Sequence, residues 1–168
     1  MTATPALTAD LQRQVLLLED DLRERLAADP DREATWRSQH ATAVAKDRTA
    51  SPWVSWRDDL ITQAAVGWAL TTVFVRFCED NRLLKQVWIA GPEERRQEAL
   101  DAQLAFFRVH PEETDREWLQ DAFTYLSNLP ATKSLVEPHS AVHLLAPSAD
   151  AVTKLLEFWR RRDDASTR

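Results

Sequence analysis

The stretch Ile61–Leu84 (ITQAAVGWALTTVFVRFCEDNRLL) limits the fold more than any other part of this chain, because it is apolar on almost every side of a helix. From residue 64 to residue 78 its only charged side chain is Arg76. A helix without a polar face must be surrounded by other helices, since any side turned to water would expose apolar area. The sequence therefore predicts an all-α fold, a single compact multi-helix bundle around this buried central helix.

Glycine is nearly absent, with two residues in a chain of 168. Sheet proteins use glycine in hairpin turns and bulges, and nucleotide-binding loops use it where the backbone approaches phosphate. The hydrophobic fraction of 44% and the seven tryptophans are typical of one folded domain with a substantial core. Together these features argue against a strand-rich fold or a phosphate loop and favour helices joined by proline-containing loops.

Charge and cysteine content restrict the partners and the compartment. The formal net charge of −6 argues against tight DNA binding by the chain alone, although a local basic face is compatible with it. The single cysteine, Cys78, lies in the apolar helix, so the chain has no disulfide framework. A reducing compartment is then the simplest one, and a cytoplasmic location is predicted. No signal peptide is evident at residues 1–12. The span 61–78 is marginal for a membrane helix and contains Gln63 and Arg76, so no membrane contact is predicted.

Two helices are predicted in residues 1–50, as a pair flanking the bundle. The first runs from Leu7 to about Ala28 with Thr8 as its N-cap, and the second from Arg32 to about Lys46. The first helix has an apolar stripe that suits packing on the bundle or a homodimer contact. The stripe comprises Leu7, Leu11, Val15, Leu18, Leu22 and Leu26.

The bundle core is assigned to residues 51–163, within one domain overall. Pro52 starts the central helix, and Glu93–Val109 forms the next helix. The side of that second helix predicted to face the core comprises Leu100, Leu104 and Phe107.

The last two helices carry clear start signals. Thr114 and Glu117 have the spacing of a capping box, and Ser148 is the predicted N-cap of the final helix. Residues 164–168 are predicted to be a disordered tail. The residues predicted to face inward are Trp118, Leu119, Ala122, Phe123 and Leu126 in one helix, and Val152, Leu155, Leu156 and Trp159 in the other.

A charged cluster closes the central helix: Arg76, Glu79, Asp80 and Asn81. Arg76 has helical spacing to both acids, so it can pair with each of them. Because the cluster borders the most apolar helix, the favoured interpretation is a structural ion network. Contact with a partner domain or with nucleic acid is the alternative.

Two basic groups are candidates for contact with DNA or with a partner protein. One is Arg95 with Arg96, and the other is Arg160, Arg161 and Arg162 at the end of the last helix. Cations at a helix C-terminus also complement the helix dipole, and such charge runs are usually solvated. A solvated charge run is therefore the favoured interpretation of these arginines, and DNA contact is the weaker one.

No pattern of residues predicts catalysis or a metal site in this chain. His139 and His143 are four residues apart, but Ser140 stands where a zinc-protease helix would need glutamate, and a third ligand is not evident. Ordinary hydrogen bonding of these histidines is the favoured interpretation, with a small metal protein as the alternative. The sequence has no Pro-Pro dipeptide, and no serine or cysteine nucleophile stands with an evident base.

Four stretches, in order along the chain, resemble the N-terminal helical region of large adenine-specific DNA methyltransferases. The resemblance is closest to the PglX family of the type 2 BREX, or phage growth limitation, defence systems. The stretches are LTADLQRQVLLLEDDLRERL, SWRDDLITQAAVGWALTTVFVRFCEDNRLL, FFRVHPEETDREWLQDAF and LSNLPATKSLVEPHSAVHLL. The set covers nearly the whole chain, and VFVRFCEDNRLL is its centre.

The resemblance implies a cytosolic enzyme that transfers a methyl group from S-adenosylmethionine to adenine N6. In that family the catalytic Asn/Asp-Pro-Pro-Tyr/Phe motif and the cofactor-binding glycine loop lie further along a much longer polypeptide. Neither is present here, so no catalytic or cofactor-binding residue is carried over, and no cofactor is expected in this chain alone.

The predicted function is therefore that of a non-catalytic N-terminal domain. It would pack on the methyltransferase core and assist DNA positioning, or present a docking face to another defence protein or to a phage inhibitor. The alternative is a freestanding helical interaction module of an adaptor or antitoxin-like kind, which the flanking gene would distinguish.

Overall fold

The computed structural model describes residues 5–130 and 132–166, with side chains from 6 to 130 and from 132 to 161. The fold class is confirmed: over these ranges the chain is all-α, without a β-strand. Its helices are α1 (Pro5–Ala27), α2 (Pro30–Ala45), α3 (Trp53–Asp80), α4 (Arg96–Val109), α5 (Asp115–Ser127) and α6 (Ala149–Ser166). Short 3-10 turns occupy Glu93–Arg95, Lys133–Val136 and Ala141–His143.

The apolar stretch forms α3, and one side of it is the centre of the core. Helices α1 and α2 and the turn Ala141–His143 all pack against it. Trp68 is 1% exposed, donates its indole N–H to the carbonyl of Val142 at 3.0 Å and meets Phe123 edge-on. The predicted central helix is therefore correct on this side.

The expectation that α3 is covered all round is wrong. One face of α3 remains uncovered in the described part of the chain, with Leu70 58% and Phe77 40% exposed. Between and beside them Val66, Val73 and Phe74 are half-buried, and the last two touch the core with part of their side chains, so this face is uncovered only in part. The fully buried apolar residues of α3, such as Ala64, Trp68 and Val75, lie on the opposite side of the helix.

Helix α1 packs on α3 through the predicted leucine stripe. Leu18, Leu22 and Leu26 are buried, so the stripe is occupied within the chain. Thr8 is not the N-cap, because the helix already includes Pro5. The homodimer through this helix stays a prediction, and the exposed apolar residues available to it are Leu16 and Leu17.

Helix α1 also fixes the start of α6. Asp21 accepts hydrogen bonds from the backbone N–H and the hydroxyl of Ser148, at 2.8 and 2.5 Å. Ser148 is the N-cap of α6 as predicted, since its hydroxyl accepts from the N–H of Ala151 at 3.1 Å. The division at residue 50 and the disordered tail at 164–168 stay predictions; α6 is described through Ser166, and residues 167 and 168 lie outside the described range.

The predicted inward side of α4 is wrong at Leu104. Leu104 is 57% exposed, whereas Ala99 and Gln103 are buried. The helix is rotated so that Gln103 can donate to Asp115 at 2.5 Å and accept from Arg160 at 2.8 Å. Polar pairing with α5 and α6 therefore leaves Leu104 in solvent, whereas Leu100 and Phe107 are half-buried and Phe107 packs against the core.

Helices α5 and α6 pack as the sequence predicts. All nine residues assigned to their inward faces are buried. The capping box at Thr114 is also confirmed: the Thr114 backbone N–H donates to Glu117 at 2.9 Å.

The capping box makes the free energy of unfolding depend on pH in acidic solution. Burial alone would raise the pKa of Glu117, but hydrogen bonds from Thr114 and Arg116 outweigh it and lower that pKa to about 2. Because the folded pKa lies below the unfolded value, this stabilisation is complete above about pH 4.5 and is lost as pH falls toward 2. We expect Glu117→Gln to reduce the decline in the free energy of unfolding between pH 5 and 2. Urea titrations across that range would measure it, and an unchanged slope would contradict the assignment.

Gly67 is required by a close approach of two backbones. A Cβ atom at this position would lie 2.9 Å from the backbone nitrogen of Val142 and 3.1 Å from the carbonyl carbon of Ala141. Alanine normally stabilises a helix interior relative to glycine by about 0.5–1 kcal/mol. Here we expect Gly67→Ala to lower the free energy of unfolding by about 1–3 kcal/mol, because the Ala141–His143 turn is pushed off α3. Exposed Gln63→Ala on the same helix is the control, and a stabilising Gly67→Ala would disprove the contact.

By length and composition α3 could also cross a membrane, and half of its most apolar 18-residue window is buried by the rest of the protein. Core helices of globular proteins pass the same test. The cytoplasmic location and the absence of membrane contact stay predictions.

Candidate functional site

The charged end of α3 holds the following loop through a single carboxylate. Glu79 is fully buried and accepts four backbone N–H groups, two on each oxygen. The donors are Trp88 at 2.7 Å, Ile89 at 2.9 Å, Ala90 at 3.1 Å and Gly91 at 2.8 Å. Four donors satisfy the hydrogen-bonding capacity of this buried side chain, which would be costly to leave unpaired. We call Glu79 and these four amides the Glu79 cradle.

Arg76 completes the charge balance of the cradle. Its guanidinium lies 3.4 Å from Glu79 and 2.9 Å from Asp80, and it donates to the carbonyl of Gly91 at 2.9 Å. Burial raises the pKa of Asp80, and the nearby Arg76 lowers it in part. Gly91 adopts φ +64, which lets its N–H and C=O both turn toward α3.

Asn81 does not join this network in the structure. Its side-chain amide donates to the carbonyl of Phe77 at 2.8 Å on the exposed side of the helix end. The structure thus brings together three of the four residues of the predicted ion network: Arg76, Glu79 and Asp80.

The carbonyl groups of the same loop are held by side chains from three other segments. Arg95 donates to the carbonyls of Leu84 at 3.1 Å and Lys85 at 2.6 Å. The indole of Trp118 donates to Trp88 at 2.9 Å, and Arg160 donates to Ile89 at 2.9 Å. Sequence inspection missed this loop anchor, because its acceptors are backbone atoms that a sequence does not distinguish.

Three of the arginines predicted to contact DNA have partners inside the protein. Arg95 also pairs with Glu98, Arg96 donates to the carbonyl of Arg160 at 3.1 Å, and Arg160 joins α6 to the loop. Burial lowers the pKa of Arg160. Arg161 is exposed and pairs with Glu157, while the side chain of Arg162 lies outside the described side chains. The geometry favours structural roles, and DNA contact stays a prediction.

Arg160 gives a direct test of that structural role. We expect Arg160→Met to lower the free energy of unfolding by about 1–3 kcal/mol, because the Ile89 carbonyl and the Gln103 amide oxygen lose their donor. Arg161→Gln, at an exposed site, should change it by less than about 0.5 kcal/mol. Urea unfolding followed by circular dichroism would compare them. Equal effects would contradict the structural role of Arg160.

The histidines form ordinary contacts. His143 lies 3.1 Å from the carbonyl of Val136 through Nε2, and His139 is exposed. Within the described residues, no group of three or more His, Cys, Asp and Glu side chains is placed to hold a metal ion.

The remaining feature suited to recognition is the uncovered face of α3, which we call the α3 stripe. It comprises Val66, Leu70, Val73, Phe74 and Phe77. Their spacing of three and four residues places them on one side of about three helical turns. The rings of Phe74 and Phe77 lie 6.3 Å apart, so the aromatic end of the stripe is continuous. Such a face can bury apolar area against another protein surface.

Fold and site together define the class: a helical domain with an internally anchored loop and an uncovered apolar helix face. No protein-family model matches the chain, and no solved structure matches it. The chain is 37% identical over 161 residues to the adenine-specific methyltransferase PglX of Streptomyces coelicolor. The match covers 95% of this chain and 13% of that protein, so the chain spans a small part of the relative's length.

The resemblance to PglX is thereby confirmed, and the chain is homologous to a segment of such a methyltransferase. The RFCEDN element that carries the resemblance coincides with the Glu79 cradle. In this element Glu79 accepts backbone N–H groups, and Arg76 pairs with Glu79 and donates to the Gly91 carbonyl; a structural role for the motif stays a prediction.

Proposed function

We propose that this chain forms a non-catalytic helical domain of a PglX-type adenine-specific DNA methyltransferase. The observation that carries the proposal is the 37% identity across nearly the whole chain to one segment of a much longer methyltransferase. In this proposal the methyl transfer and the S-adenosylmethionine site belong to the rest of the polypeptide. The domain's task is to hold a surface against that remainder.

Protein contact fits the described surface better than DNA contact. Phosphate binding requires free cations, whereas Arg95 and Arg160 are bonded to backbone carbonyls of the same chain. The formal net charge of −6 also repels the negatively charged phosphates of nucleic acid. Any help in positioning DNA would therefore be indirect, through the orientation of the catalytic part. A role in phage defence follows from the same proposal.

Two measurements test this function. The isolated chain should bind no S-adenosylmethionine in titration calorimetry and should methylate no DNA. A methyltransferase that carries this segment should still bind S-adenosylmethionine when the segment is deleted, but should lose most of its adenine methylation. Cofactor binding by the isolated chain, or full methylation without the segment, would refute the proposal.

A further inference from the structure

The α3 stripe is more apolar than the exposed side of a core helix needs to be. Leu70 is 58% exposed and Phe77 40%, although helices that border solvent usually place polar residues on that side. From residue 64 to residue 75 the face offers no charged side chain at all. Isolated exposed hydrophobic residues are common, but here Leu70 and Phe77 are exposed on one helix face whose other apolar residues, Val66, Val73 and Phe74, are only half-buried. A continuous apolar face of this kind indicates a surface that is covered in the working protein.

We propose that the α3 stripe is the face that docks onto the methyltransferase polypeptide to which this segment is joined. This inference rests on the proposed function, which places a domain surface against the rest of the polypeptide, and it identifies that surface. The occupant is an apolar patch of that polypeptide, shaped to receive Leu70 and the ring of Phe77.

The size of the stripe favours a covalently joined occupant over a second copy of the chain. A stable interface between separate proteins buries about 800 Å² per partner, which takes roughly 20–30 residues on each side. Five residues over three turns fall well short of that. A neighbour on the same polypeptide, however, is present at an effective concentration in the millimolar range, so a small apolar contact is enough to hold it. The matched segment is 13% of the relative's length, which leaves a large joined polypeptide to supply the patch.

Charge at the ends of the stripe points to the same kind of occupant. Asp59 and Asp80 are exposed and lie on the same side of α3, one before and one after the apolar residues. Two copies meeting through this face would bring these acids and a net charge of −6 each together, which opposes self-association. An occupant with a basic residue near Asp59 would complement that end of the stripe, whereas Asp80 already pairs with Arg76 at 2.9 Å. Nucleic acid fits this end of α3 less well, because Arg76 is only 6% exposed and the exposed Arg82 pairs with Glu94.

The test uses a cysteine placed on the stripe and the rate at which a thiol reagent modifies it. Leu70→Cys is a mild change at an exposed site, and native Cys78 is buried. In the isolated chain the new thiol should react freely. In the full-length methyltransferase it should react more slowly by on the order of tenfold or more, as quantified by peptide mass spectrometry. Val109→Cys on α4, 73% exposed, is the matched control and should react equally fast in both proteins.

The outcomes separate this inference from the proposed function. If Leu70→Cys reacts equally fast in both proteins while deletion of the segment abolishes methylation, the docking face is wrong and the proposed function stands. If the isolated chain sediments as a dimer in which Leu70→Cys is protected, the occupant is a second copy and the inference is overturned. If deletion has no effect on methylation, the proposed function fails whatever the labelling shows.

Discussion

Replacing Glu79 with glutamine should destabilise the protein by about 3–5 kcal/mol, the largest effect we expect from any change that conserves shape. Glutamine fills the same volume, but its amide group would point N–H donors at two of the four backbone N–H groups in the cradle. It would also remove the negative charge that lies 3.4 Å from the buried guanidinium of Arg76. An unpaired buried donor costs its full desolvation free energy, so the losses accumulate within one site.

Urea unfolding monitored by circular dichroism would measure this effect. Glu157→Gln is the matched control, because Glu157 is 52% exposed and pairs with Arg161 at the surface. That control should change the free energy of unfolding by less than about 1 kcal/mol. A Glu79→Gln protein as stable as the control would show that the cradle does not hold the loop.

The helix faces that pack by apolar burial alone could be predicted from the sequence. In α5 and α6 the inward residues recur every three or four positions, and the buried residues are the predicted ones. The start signals at Thr114 and Ser148 act over a few residues, so they are visible in the local sequence. Local rules were sufficient at these two starts but not at Thr8, because α1 already includes Pro5.

The errors arose where distant partners decide the outcome. Helix α4 is oriented by Gln103, whose bonds to Asp115 and Arg160 reach other helices. The Glu79 cradle depends on amides nine to twelve residues further along a loop without regular structure. The uncovered face of α3 could not be predicted either. An apolar pattern indicates which residues are buried, but not whether this chain or another protein surface buries them.

The α3 stripe and the cradle occupy opposite sides of one helix, which separates docking from folding. Leu70 and Phe77 can be changed without touching the buried side, since Trp68, Val75 and Glu79 carry the internal contacts. A docking defect caused by a stripe variant can therefore be distinguished from unfolding. The contrast between Trp68 and Leu70 tests that separation directly.

Trp68→Ala should lower the free energy of unfolding by about 3–5 kcal/mol, whereas Leu70→Ala, two residues away, should change it by less than about 0.5 kcal/mol. Trp68 joins α3 to α5 through Phe123, at a ring distance of 5.0 Å, and to the Ala141–His143 turn through its bond to Val142. Truncation leaves a cavity at the centre of these three segments. Trp68→Phe keeps most of the apolar burial but loses the indole donor, so an intermediate loss of about 1–2 kcal/mol is expected. The three variants would be compared by urea unfolding at neutral pH. Similar losses for Trp68→Ala and Leu70→Ala would mean that the two sides of α3 are equally buried, and the α3 stripe would then not be an uncovered surface.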